Sequence, residues 1–403
     1  MKHIRGGVTA PKGFLASGIH CGLKKNKKDL ALIYSNTICD AAAVYTTNLV
    51  KGEPIYVTAK HLENGKAQAV IINSGNANTC TGEDGKQKAF QMAEFAAKAV
   101  NVDPKDVIVA STGVIGVSLP IEKIQSGMPN LAKQMSKEGH KDAREAILTT
   151  DLRNKEIAIS IKIDNKEIII GGMAKGSGMI HPNMATMLSF ITTDINIDAD
   201  LLKEALTQTV GKSYNQISVD GDTSTNDMVT IMANGQGGNE KITSKDKDYE
   251  IFFNALQHIN IYLAKEIARD GEGATKLLEC IVKGANGEVG AQKLAKSVIA
   301  SSLVKTAMFG ADANWGRILC ALGYAGVPID VEKIGIEIKS NVGIINVYTQ
   351  GQGVRFDEIL AKEILSSQEV TIVATLNTGN ASATAWGCDL SYDYVKINGD
   401  YRT

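Results

Sequence analysis

Residues 183–194 read NMATMLSFITTD, with Thr186 between Ala185 and Met187 where an apolar run begins. Just upstream, KGSGMIHP (175–182) is rich in positions that bend easily. A threonine hydroxyl ionises far above neutral pH, so as a nucleophile it needs a base within hydrogen-bond reach. No Gly-x-Ser-x-Gly elbow is present to suggest a serine-type triad. A second kind of base is the α-amino group of the threonine itself, which titrates near about 7.7–8.0 once it is free. Freeing it means breaking the Ala185–Thr186 peptide, and Gly176, Gly178 and Pro182 would help expose that bond to the Thr186 hydroxyl. The alternative is a plain strand in which Thr186 is β-branched filler. Residue types alone leave both open.

Four other segments carry groups of chemical interest. ASTGVIG (110–116) ends an apolar run in Thr112-Gly113, whose hydroxyl and backbone N–H could act as paired oxyanion donors; a simple glycine turn is the alternative. Lys175 is a cation beside the KGSG bend, able to hold a carboxylate or developing negative charge, or else merely solvated. In RDGEGATK (269–276), Glu272 lies between two glycines, which suits close approach to a ligand ammonium. DGDTSTND (220–227) looks calcium-like but lacks the twelve-residue loop and closing Glu, so it reads as a hydrogen-bonded turn.

Metal and cofactor signatures are missing from the sequence. The six histidines and six cysteines are scattered, with no Cys-x-x-Cys or His-x-x-x-His pair, so no metal is expected and the thiols read as reduced and mostly buried. Gly284-x-x-Gly287-x-x-Gly290 is neither a dinucleotide fingerprint nor a phosphate loop, and is expected to be a turn opening a helix.

The elements that must position these groups alternate between strands and amphipathic helices. Strands are expected at 69–75, 107–113, 228–235, 276–284, 333–339, 343–349 and 370–377, with a hairpin over 156–174 turning near Asn165. Helices are expected at 85–101, 198–213 (capped by Asp198), 247–269 and 291–308. Hairpin-like neighbours among mixed elements favour a mixed or antiparallel α+β layered fold over a doubly wound sheet. NSGNANTCTG (73–82) and NTGNASATAWG (377–387) share Asn-x-Gly-Asn-Ala, an echo expected of either duplication or chance.

The 403 residues are long for one core, so two domains or two fused layers are expected. A net charge of −1 offers no electrostatic case for nucleic acid or an anionic membrane, and KKNKK (24–28) reads as a solvated loop. No apolar stretch reaches ~18 residues, and the start MKHIRGGVTAPKG does not read as a signal peptide, which points to the cytoplasm.

Seven segments taken in order resemble the ArgJ family of glutamate N-acetyltransferases (ornithine acetyltransferases) of arginine biosynthesis: GGVTAPKGFLASG, NSGNANTCTG, ASTGVIG, GGMAKGSGMIHPNMATML, DGDTSTND, GADANWGRI and NGDYRT. The resemblance runs over nearly the whole chain. It implies a two-domain layered α/β sandwich and a precursor that cuts itself between Ala185 and Thr186. Residues 1–185 would then form an α chain and residues 186–403 a β chain headed by the nucleophile, assembled as two α and two β chains. It further implies ping-pong transfer of acetyl from N-acetylornithine, through an acetyl-threonine ester, to glutamate. No bound cofactor is implied, and acetyl-CoA is a possible second donor. By the same resemblance Thr112 and Gly113 are the oxyanion donors, and Lys175, Thr186, Glu272, Asn398 and Thr403 contact substrate. One of Thr149 and Thr150 does so too, with Thr149 favoured. Leu152 stands where the family often has threonine after Thr-Thr-Asp. An N-terminal-threonine amidohydrolase or aminopeptidase of the same fold is the rival enzyme, and a non-catalytic amino-acid-binding protein the rival outside enzymes.

Overall fold

The run Ala69–Ile72 is apolar at successive positions, the pattern of a strand covered on both faces. The computed structural model, which describes residues 1–181 and 187–400, places it in that setting. Val70 and Ile72 enter one core, with Phe14, Ile33, Met173, Phe190 and Met228. Ala69 and Ile71 enter another, against helices Gly82–Val100 and Ile121–Lys133.

In chain order the strands are β1 (Lys2–Ile4), β2 (Phe14–Ile19), β3 (Leu30–Tyr45), β4 (Lys66–Asn76), β5 (Val107–Val114), β6 (Lys155–Ile163), β7 (Lys166–Lys175), β8 (Leu188–Thr193), β9 (Ile217–Ser218), β10 (Met228–Ala233), β11 (Leu277–Ala285), β12 (Gly335–Lys339), β13 (Ile344–Thr349), β14 (Gln352–Gly353), β15 (Glu369–Thr375) and β16 (Ala381–Cys388). The chain divides into two compact units: 1–176, 183–214 and 223–263 form the first, and 177–182, 215–222 and 264–403 the second.

The first unit is built on a nine-stranded sheet ordered β1-β6-β7-β8-β10-β3-β4-β5, with β2 paired to β3. β8–β10 and β4–β5 run parallel and the other pairs antiparallel, so the sheet is mixed, as expected. The hairpin β6–β7 turns through Asp164 and Asn165, both left-handed, where short polar side chains tolerate positive φ. The second unit carries a seven-stranded sheet, β14-β13-β12-β15-β11-β16-β9. Its core joins Leu278, Cys280 and Val282 of β11 to Leu294, Ala295 and Val298 of a covering helix.

Three expectations need correction, and the open choice over the Asn-x-Gly-Asn-Ala echo goes against duplication. The helix expected over 291–308 is two helices, Glu288–Ala300 and Ser302–Phe309, because Ser301 turns extended and its Oγ caps the second by accepting from the Val304 N–H at 3.3 Å. The Asn-x-Gly-Asn-Ala echo is not a structural repeat: the first copy continues β4 and leads to a helix, whereas the second leaves β15 through left-handed Asn377 into another strand. The thiols are not mostly buried, since only Cys39, Cys280 and Cys388 are buried while Cys80 and Cys320 are exposed. The lysine run is solvated only at Lys25 and Lys27; Lys24 folds inward, as described below.

The two units do not follow the 185/186 boundary, because β8 and β10 share a sheet with β1 to β7. Among the described residues, no helix is long and apolar enough to cross a membrane.

Candidate active site

Thr112 stands near the end of β5, half-buried, with Gly113 next to it. The β4–β5 ladder is irregular at Gly75 and Asn76, and Gly113 takes a φ of 135° there. A Cβ on Gly113 would lie 2.3 Å from the Gly75 carbonyl carbon, so this position requires glycine for both space and φ. Beneath it lies a buried polar network. Ser111 Oγ donates to Asn73 Oδ1 at 2.6 Å, and Asn73 Nδ2 donates to the Asn76 carbonyl at 2.9 Å. Asn226 uses its whole amide: Nδ2 donates to the carbonyls of Ala77 (2.6 Å) and Ser111 (3.1 Å), and Oδ1 accepts from Thr79 (2.5 Å) and Thr225 (2.6 Å). A satisfied buried network of this kind holds a turn in one geometry. It gives the asparagines of NSGNAN and the last part of DGDTSTND a job that spacing alone did not reveal.

Lys175, the last residue of β7, is 7% exposed rather than solvated. Its Nζ lies 3.4 Å from Thr112 Oγ1 and 4.0 Å from Asp151 Oδ2. An ammonium donating to the Thr112 oxygen leaves the threonine's own proton available for another acceptor. Asp151 is the residue that sequence reasoning missed. Its side chain is fully buried, and it accepts from Lys155 Nζ at 2.7 Å, the Gly176 N–H at 2.7 Å and the Thr149 N–H at 3.0 Å. Burial works against its ionisation, but the charges of Lys175 and Lys155, the Lys155 hydrogen bond and the Gly176 amide outweigh it. They hold the carboxyl well below the usual carboxylate range. Asp151 thus ties together the LTTD segment (148–151), the end of β7 and the start of the KGSG bend. Thr149 is bound into this arrangement through its N–H, with its hydroxyl 3.5 Å from Asp151 Oδ2, while Thr150 beside it is half-buried. Leu152 is 86% exposed, so the departure from threonine there touches none of these contacts.

Lys24 joins the same neighbourhood. The buried Asp29 carboxylate gathers the backbone N–H groups of Cys21 (2.6 Å), Gly22 (3.2 Å) and Lys24 (2.9 Å), folding the basic loop inward. Lys24 Nζ then donates to the carbonyl of Leu148, next to Thr149, at 2.6 Å. Burial pushes its ammonium down to about 8; Asp29 opposes this, while Lys27 and Lys175 add to it.

The second unit holds Glu272 and Asn398. Glu272 is buried, its N–H donates to the Ser177 carbonyl at 3.0 Å, and its Oε2 accepts from Asn398 Nδ2 at 2.8 Å. The glycines around it are packed closely against the protein: a Cβ on Gly273 would meet the Tyr394 nitrogen at 2.5 Å, and one on Gly271 the Cys388 Sγ at 2.6 Å. Gly178 lies against the same carboxylate, 2.2 Å from where its Cβ would be. Asn398 is exposed on the terminal helix Tyr392–Gly399, which buries none of its residues. Ala185, Thr186 and Thr403 lie outside the described residues.

A braced Thr-Gly turn beside a buried, carboxylate-paired lysine offers donors that could stabilise an oxyanion. A family model described as the ArgJ family matches residues 15–403. The arginine biosynthesis bifunctional protein ArgJ of Caldanaerobacter subterraneus subsp. tengcongensis is 50% identical over 403 residues, covering 100% of both chains. The protein of that name from Symbiobacterium thermophilum is 52% identical over 406 residues, again with 100% of both covered. Among solved structures, the bifunctional ArgJ of Bacillus halodurans matches with 49% identity and a TM-score of 0.51, covering 53% of this chain and 99% of that one. The chain belongs to the ArgJ family, and with it to the acyltransferases of arginine biosynthesis.

Proposed function

We propose that the chain cuts itself between Ala185 and Thr186 and then moves acetyl from N-acetylornithine to glutamate through Thr186. In the cut, the Thr186 hydroxyl adds to the Ala185 carbonyl carbon. The peptide C–N bond breaks as the Thr186 amine takes a proton, and water hydrolyses the resulting ester. The freed amine is then the base: it takes the hydroxyl proton as Oγ attacks the acetyl group and passes it to the departing ornithine nitrogen. In the second half-reaction glutamate's amine attacks the ester carbonyl carbon, the acyl C–Oγ bond breaks, and the proton lost by the attacking amine passes through the Thr186 amine to Oγ. Thr112 and Gly113 stabilise the oxyanion of each tetrahedral intermediate. Lys175, 3.4 Å from Thr112 Oγ1, both contacts substrate and steadies the charge developing there, while the Thr149–Thr150 segment, Glu272, Asn398 and Thr403 hold the charged arms of the amino-acid substrates.

The observation that carries this reading is the convergence of Thr112, Lys175 and the LTTD segment through Asp151. The extent of the Bacillus halodurans match also supports it, since 53% of this chain is close to the share taken by residues 186–403. The test is denaturing electrophoresis of purified protein. The 42.9 kDa chain is expected as two pieces of roughly 20 and 23 kDa, while Thr186→Ala stays whole and transfers nothing. Two pieces from that variant would refute the mechanism. Acetate released in excess of acetylglutamate at saturating glutamate would instead indicate the amidohydrolase. We further propose two α and two β pieces in the assembly, to be weighed by light scattering, and acetyl-CoA as a second donor, to be assayed with glutamate alone.

A further inference from the structure

The segment Ser177–His181, which leads to the proposed cut, contains Gly178 and would be loose on composition alone. It is instead pinned within the second unit at almost every residue. The Met179 N–H donates to Asp220 Oδ2 at 2.6 Å and the Ile180 N–H to Asp220 Oδ1 at 2.8 Å. The Ile180 carbonyl accepts from the Val219 N–H at 2.6 Å, and His181 Nδ1 lies 3.0 Å from Ser218 Oγ. At the other end, Ser177 Oγ donates to the Asp270 carbonyl at 2.7 Å, and its own carbonyl takes the Glu272 N–H at 3.0 Å.

Met179 has a φ of 57°, a left-handed conformation that a side chain with a Cβ adopts at a cost. This conformation turns two successive N–H groups toward one point, a concavity that elsewhere binds anions. Here the anion is internal. Asp220 fills the concavity with both carboxylate oxygens, and Oδ1 also takes the Asp222 N–H at 3.2 Å. Asp220 further accepts from the Tyr394 hydroxyl, which sits on the helix that carries Asn398; burial and this carboxylate both push the tyrosine upward.

We propose that Asp220 is a positioning residue for self-cleavage, holding the backbone of Met179 and Ile180 in the conformation from which the Ala185–Thr186 bond is attacked. The inference rests on the self-cleavage reading above. Intramolecular attack on a peptide is fast only when the reacting groups are held near one geometry, and a bend containing glycine loses that geometry once its anchors go. Asp220 acts through the backbone of Met179 and Ile180, so its removal is expected to slow the cut rather than change its products.

The experiment follows the appearance of the two pieces from freshly purified full-length chain. Asp220→Ala is expected to cut roughly tenfold or more slowly than wild type, because it loses charge-assisted hydrogen bonds. Asp220→Asn, which keeps one carbonyl acceptor, should fall between the two, and Asp222→Ala should match wild type. If Asp220→Ala does not fold, the isosteric Asp220→Asn carries the test. A second readout uses the uncut Thr186→Ala background, where adding Asp220→Asn should speed amide exchange at Met179 and Ile180 while leaving the melting temperature within a few degrees. Cutting by Asp220→Ala and Asp220→Asn at the wild-type rate overturns the clamp and leaves the self-cleavage reading standing. A wild-type chain that stays whole overturns that reading, and the clamp with it.

Discussion

The two clusters of candidate site residues are built on opposite principles. Around Thr112 the ion-paired groups are enclosed: Asp151 has no exposed side-chain surface, Lys155 none, and Lys175 almost none. Around Asn398 the reverse holds, since its helix buries none of its own residues, although Glu272 beneath it is enclosed. Charges in a low-dielectric interior act strongly and need no rearrangement when a reaction begins, whereas an exposed amide adds a modest, adjustable hydrogen bond. The first cluster is therefore suited to stabilising charge that develops during reaction, and the second to recognising a charged group already present.

The largest effect expected from this contrast is at Asp151. Asp151→Ala leaves Lys155 and Lys175 buried without their shared carboxylate and should cost about 3–5 kcal/mol in urea unfolding. A variant as stable as wild type would mean that the first cluster is not held by its ion pairs. Next comes Lys175→Met, expected to lower kcat about 10²–10³-fold with little loss of stability. A change confined to KM would make Lys175 a binding group like those of the second cluster. Asn398→Ala should raise KM roughly five- to tenfold and leave kcat nearly unchanged; a collapse of kcat would erase the distinction.

The smallest effect belongs to Lys24. Its folded-state pKa of about 8 lies below that of an unfolded lysine, so the unfolded chain binds more protons between the two values. Stability from this group therefore rises as pH increases through that window. The melting temperature of wild type should gain on that of Lys24→Met from neutral pH to about 10. No gain would place Lys24 with its solvated neighbours.

Much of the scaffold was legible because it follows local rules. Apolar runs such as 69–72 became doubly covered strands, and Asp198 capped its helix as expected, its side chain accepting from Asp200. The break at Ser301 escaped notice because helical apolar spacing continues across it, and only the cap geometry shows the interruption. Family motifs named the candidate site residues, but not the groups that hold them. Asp151, Asn226 and Asp220 act on residues 25, 115 and 40 positions away, respectively, and no spacing rule links them. DGDTSTND shows the difficulty best. Its first aspartate serves one unit and its asparagine the other, so no single turn reading could account for both.

The nine-stranded sheet has a consequence for the lifetime of the molecule. β7 ends at Lys175 and β8 begins at Leu188, and the two pair along Ile170–Lys175 and Leu188–Thr193, on either side of the proposed cut. β10 then lies between β8 and β3. A break between 185 and 186 would therefore release nothing, since each piece supplies strands to one continuous ladder. What changes is the way back. Before the break, a denatured molecule can refold by itself; afterwards it must find a second chain, and recovery depends on protein concentration. Diluting denatured, processed protein should leave it unable to recover, while Thr186→Ala refolds at the same dilution. A single peptide bond would thus convert a reversible fold into one that is assembled once.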